Sequence, residues 1–158
     1  MYRKNEAPLE FDVQKVTEQS KDNPVFYVQY AHARISSVIN KLKKTNMNID
    51  LTNFDKCNFS LLDKEGEIEL IKILLDWKSV IETAVNLYEP HRISYYLYDL
   101  SSSFHSLWNQ GKIDKNNKFI DEERPEISNV RIALLIATQE TLKSGLNLIG
   151  VSAPDEMQ

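Results

Sequence analysis

Apolar positions recur at helical spacing in four long stretches of the chain, and nowhere alternate as they would along a half-buried strand. The clearest stretch opens at Asp22-Asn23-Pro24, where Asn23 suits an N-cap and Pro24 the first helical position. On a wheel started at Val25, the residues Val28, Ala31, Ile35, Val38, Ile39 and Leu42 fall between roughly 220° and 320°. This spacing predicts a helix from Pro24 to about Lys44 with one buried stripe. Residues 45–60 are polar and lack a period, so they read as a long loop. Ile68, Ile71, Leu74, Leu75, Val80, Ile81 and Val85 then predict a helix over 64–88, bent near Asp76-Trp77.

Glu89-Pro90 separates that run from a helix over about His91 to Gln110, because a residue before proline disfavours the helical region. Its apolar stripe is Tyr96, Leu97, Leu100, Phe104 and Leu107. Residues 111–126 form a second polar loop. Ser128 then reads as the cap of a helix reaching about Ser144, with Gly145 as a left-handed stop. Ahead of these elements, Leu9, Phe11, Val13 and Val16 suggest an extended lead and a short helix, Asp12 to Gln19. The expected fold class is all-α, a bundle of about five to six helices joined by two long polar loops. Residues 1–22 are expected to form a lead and linker helix, and residues 23–158 the bundle.

A chain of 158 residues is one domain by length, and 42% hydrophobic with 27% charged residues is ordinary for a globular protein. No apolar run approaches the roughly 20 residues of a membrane span, and the charged first residues lack the apolar core of a signal peptide. One cysteine, Cys57, fits a reducing compartment, so a cytoplasmic location is expected. The net charge of −4 argues against bulk affinity for nucleic acid, DNA included. Its distribution changes that picture: from residue 24 to 49 the ionised groups are Arg34, Lys41, Lys43 and Lys44, without a carboxylate. One basic helix inside an acidic protein permits a local anionic contact, although a solvated basic face is the commoner outcome.

Catalytic chemistry has no motif here. The glycines are scattered, so no phosphate loop forms. His91 and His105 are fourteen residues apart, about 21 Å along a helix, and cannot share a metal ion. His32 and Cys57 lack partners at ligand spacing. Polar surface or satisfied core histidines explain all three histidines better. Binding chemistry is more suggestive. Tyr27, Tyr30 and Arg34 lie near roughly 200°, 140° and 180° of the first wheel, about 90° from the buried stripe. Such a face suits an unpaired base, which stacks on aromatic rings and on an arginine plane. Equally, the tyrosines could pack on a neighbouring helix with their hydroxyls wet. Phe104 sits on the core stripe of its helix and Trp108 at the stripe's edge, from which it could turn inward or outward.

The string from Ser20 to Ile35, SKDNPVFYVQYAHARI, resembles the segment that opens the anticodon-binding domain of bacterial-type arginyl-tRNA synthetases. Glu89-Pro90-His91-Arg92 leading into Tyr95 to Leu100, the run Phe104 to Asn109, and Gly145 to Met157 resemble later parts of the same domain, in order. The resemblance implies a DALR-type helical domain of a class I enzyme that attaches arginine to its tRNA with ATP and magnesium, in translation. It implies that Tyr27, Tyr30 and Arg34 line the anticodon site. It further implies that Phe104 and Trp108 stack on anticodon-loop bases and that Met157 lies in the same pocket. Gln158 departs from the pattern by displacing the terminal carboxylate.

The class I signatures that hold ATP, His-Ile-Gly-His-like and Lys-Met-Ser-Lys-like, are absent from the chain. On the resemblance the chain is a fragment, with residues 1–22 coming from the catalytic side. It is expected to bind arginine tRNA through the anticodon loop as a monomer, without catalysing or holding a cofactor itself. Its other partner is the missing catalytic domain. The alternative is a stand-alone helical interaction module using the same aromatics as a hot spot. An independent enzyme has no motif in its favour.

Overall fold

The computed structural model describes residues 23–157 apart from 48, 50 and 52. The short helix expected at 12–19, the boundary at residue 22 and Gln158 lie outside the described residues. Five α-helices follow in order: α1 (Pro24–Leu42), α2 (Glu65–Leu75), α3 (Trp77–Asn86), α4 (His91–Ile113) and α5 (Pro125–Leu148). Single 3-10 turns, Phe59–Leu61 and Lys115–Asn117, lie in the two long connections, and no strand occurs among the described residues. Only Asp76 separates α2 from α3, so the pair also counts as one bent helix, which makes four. The bend falls at the expected Asp76-Trp77.

Local chemistry explains the starts and stops. The Asn23 side chain accepts from the Val25 and Phe26 backbone N–H groups at 3.0 and 3.4 Å, and Pro24 opens α1. Tyr88 takes φ 55°, the left-handed conformation that ends α3, where glycine or asparagine is more usual. Two sequence expectations about α5 are overturned. The helix starts at Pro125, so Ser128 is not its cap; the serine is buried one turn inside, where its hydroxyl accepts from Asp121 N–H and donates to Asp121 C=O. Gly145 is not the stop either, because α5 continues to Leu148 and the left-handed residue is Gly150 at φ 74°. A β-carbon at position 145 would lie 2.5 Å from Leu97 Cδ2, so glycine serves the close approach of α5 to α4 there.

α4 is the central helix and packs against each of the other four. Its buried residues Tyr96, Leu97, Leu100, Phe104 and Leu107 meet Val28, Ala31, Ile35, Val38 and Leu42 of α1 and the Val130, Leu135, Leu142 and Leu146 side of α5. Inside this core Arg131 donates from Nε to Glu67 at 2.6 Å, with both side chains almost fully buried. Its Nη1 donates to the Asn116 and Lys118 carbonyls, each at 2.8 Å. One guanidinium thus ties α5, α2 and the 114–120 connection together. After α5 the chain turns back along α1: Gln29 Nε2 donates to Ser152 C=O, His32 Nδ1 to Pro154 C=O and Ser36 Oγ to Asp155, each at 2.9 Å.

Candidate nucleic-acid interface

α1 and α4 lie side by side and run in the same direction, since Tyr27 faces Tyr98 while Arg34 faces His105 and Trp108. Seven residues make nearly two helical turns, so Tyr27 and Arg34 share one face of α1, and Tyr98 and His105 one face of α4. These two faces meet. The Tyr27 ring centre is 5.1 Å from that of Tyr98 and 4.6 Å from that of His105, and Tyr30 lies 5.9 Å from His105.

His105 is buried, and both of its ring nitrogens have partners. Arg34 can only donate, so its Nη1 gives a hydrogen bond to His105 Nδ1 at 3.1 Å. The other nitrogen, Nε2, then carries the proton and donates to the Tyr27 carbonyl at 3.4 Å. Burial is the main reason the ring's pKa drops to about 4; the Tyr27 carbonyl opposes that shift and the positive charge of Arg34 adds to it. A neutral imidazole with one donor and one acceptor satisfies both neighbours.

Arg34 makes the centre of the site. Its guanidinium carbon lies 4.2 Å from the Tyr30 ring centre and 5.2 Å from the Trp108 ring centre, and Nη2 donates to the Tyr30 hydroxyl at 3.1 Å. The described residues place no carboxylate within ion-pair reach of it. Trp108 also lines a groove of about 970 Å³ shared with Val38, Lys41 and Phe119, whose lining includes the cations Lys112, Lys118 and Arg124 and the acids Asp121, Glu122 and Glu123.

The sequence-derived site residues are distributed unevenly around this centre. Tyr27, Tyr30, Arg34 and Trp108 come together, all of them half-buried. Of the two readings left open for this face, the packed one holds for the rings: α4 lies alongside α1 and covers part of the face turned away from the apolar stripe. Phe104 is wholly buried, so it offers no face to a base; it backs Trp108 at 6.0 Å and Phe119 at 6.3 Å between ring centres. Met157 is half-buried near the end of the tail after α5, beyond the residues Ser152 to Asp155 that bond to α1, and is not among the side chains that meet at Arg34. Sequence reasoning passed over Tyr98 and His105. The signal was present: their spacing equals that of Tyr27 and Arg34.

A family model described as the DALR anticodon binding domain matches residues 28–157. An arginine–tRNA ligase of Beijerinckia indica is 50% identical over 160 residues, covering 100% of this chain and 27% of the relative. One from Rickettsia akari is 46% identical over 157 residues, covering 98% of this chain and again 27% of the relative. The chain therefore spans about a quarter of these proteins' length. Among solved structures, an arginyl-tRNA synthetase from Campylobacter jejuni superposes with a TM-score of 0.76 at 27% identity, over 98% of this chain and 31% of that one. The Thermus thermophilus arginyl-tRNA synthetase gives 0.70 at 28% identity, over 93% of this chain and 23% of that one.

Proposed function

The chain belongs to the DALR anticodon-binding domain family, and we propose that it holds the anticodon loop of an arginine tRNA for a ligase that charges that tRNA using ATP and magnesium. The supporting observation is Arg34: a half-buried guanidinium without a carboxylate partner among the described residues, its central carbon 4.2 Å from one aromatic ring centre and 5.2 Å from a second. A base unstacked from the loop would find a planar cation and ring edges in one place, and its phosphate would find the fork. Tyr30, Arg34 and Trp108 are the proposed contact residues, with Tyr27 and Met157 at the margin. Phe104 is proposed to act from behind, by fixing the Trp108 ring. The average charge of −4 suits a domain that binds by stacking and a few fixed contacts, with catalytic portions of the ligase sharing the load as partner. The domain is proposed to act in the cytoplasm as a monomer.

Titration of the chain with labelled anticodon stem-loops tests this reading. A stem-loop with an arginine anticodon should bind more tightly than one from an unrelated tRNA. Equal affinity for the two would overturn it.

A further inference from the structure

We propose that His105 is a positioning residue for tRNA recognition, a neutral hydrogen-bond acceptor that sets the plane of the Arg34 guanidinium; the inference rests on the anticodon-binding reading above. An arginine side chain has several rotatable bonds, and stacking over a ring restrains its distance more than its rotation. Two fixed acceptors remove that freedom. The Tyr30 hydroxyl takes Nη2 and His105 Nδ1 takes Nη1, both at 3.1 Å. The Tyr30 hydroxyl sits on the same helix four residues away, whereas His105 comes from α4 and so references the fork to the core.

His105 is suited to that reference role. It is buried next to wholly buried Phe104 in the central helix, and both ring nitrogens are engaged, which restrains the ring. The Tyr27 carbonyl accepts from Nε2 and thereby leaves the lone pair on Nδ1 facing Arg34. The tilted contacts with the Tyr27 and Tyr30 rings close the remaining sides. The depressed basicity of the ring agrees with an acceptor that stays unprotonated beside a cation. Nη1 and Nη2 retain further N–H bonds beyond these two, and Nε–H is a third donor position for an incoming base or phosphate.

The test separates orientation from folding with three substitutions. Asparagine can place an oxygen near the Nδ1 position, glutamine can place an N–H near the Nε2 position, and leucine does neither. Stem-loop affinity should fall about tenfold in His105→Leu and His105→Gln and recover in His105→Asn, irrespective of the order of their urea midpoints. In an Arg34→Ala background, His105→Leu should cost no further affinity. Nitrogen NMR of the free wild-type chain should show the neutral Nε2–H tautomer. An equal loss from His105→Leu with and without Arg34, or an Nδ1–H tautomer, would overturn the inference while leaving the functional reading intact. A wild-type chain that does not distinguish the arginine stem-loop removes both.

Discussion

Arg34 lies over the ring of Tyr30 and also donates to the hydroxyl of that ring, so one tyrosine holds the guanidinium by its face and its edge. Both contacts use the planar fork, which lysine lacks. Arg34→Lys is therefore expected to bind the arginine stem-loop as poorly as Arg34→Ala, despite keeping the charge. Tyr30→Ala should lose about 1–3 kcal/mol of binding. Tyr30→Phe, which keeps the ring, should lose less. Fluorescence anisotropy at one fixed salt concentration measures all four, and wild-type affinity in Arg34→Lys would refute the fork argument.

Phe104 separates support from contact. The ring is 0% exposed, so Phe104→Ala should cost about 3–5 kcal/mol in urea unfolding. Phe104→Leu should keep most of both stability and stem-loop affinity. A leucine variant that folds normally yet binds no RNA would mean that the ring leaves the core on binding.

Glu67 and Arg131 bury opposite charges against each other, and the arginine also satisfies two carbonyls of the 114–120 connection. Removing one partner strands the other. Glu67→Leu alone should destabilise by about 3–5 kcal/mol. The double change Glu67→Leu with Arg131→Met should recover part of that, but not all, because the Asn116 and Lys118 carbonyls stay unpaired. Thermal and urea unfolding of the wild type and both variants decide between these outcomes.

Acid should weaken the fold through His105. In the fold its pKa is about 4, against 6.5 for an unperturbed ring, so between these values the unfolded chain binds more protons. The stabilisation from the neutral ring is complete above pH 6.5 and is lost as pH falls toward 4. Facing the ring are Arg34, Tyr27 and Tyr30 of α1, with Phe104 on its own helix, and no carboxylate among the described residues pairs with it to stabilise a protonated ring. The urea midpoint of the wild type should drop across this window more steeply than that of His105→Gln. Parallel curves would contradict the assignment.

Helix positions were legible because one-sided apolar spacing and Asn23-Pro24 are local signals, and the four sequence-derived stretches reappear with ends shifted by a few residues. Ser128 and Gly145 were misread for a shared reason: both look like punctuation, but tertiary neighbours decide their use. Ser128 fastens Asp121, and Gly145 makes room for Leu97. The aromatic face of α1 was legible as a face. Its covering by α4 was not, since no wheel drawn on one helix shows which helix lies beside it. His105 stayed hidden because its seven-residue spacing from Tyr98, which matches that of Tyr27 and Arg34, acquires meaning only once the two helices are seen side by side.

The segment after α5 is stitched to α1 by Gln29, His32 and Ser36, groups more than a hundred residues away in the chain. Damage at the carboxy end should therefore register at the opposite end of the sequence: clipping the last few residues would leave the α1 backbone fraying, visible as faster amide exchange from Gln29 to Ser36. The helix that carries the tyrosines and Arg34 gains these three anchors only once the residues after α5 have been made.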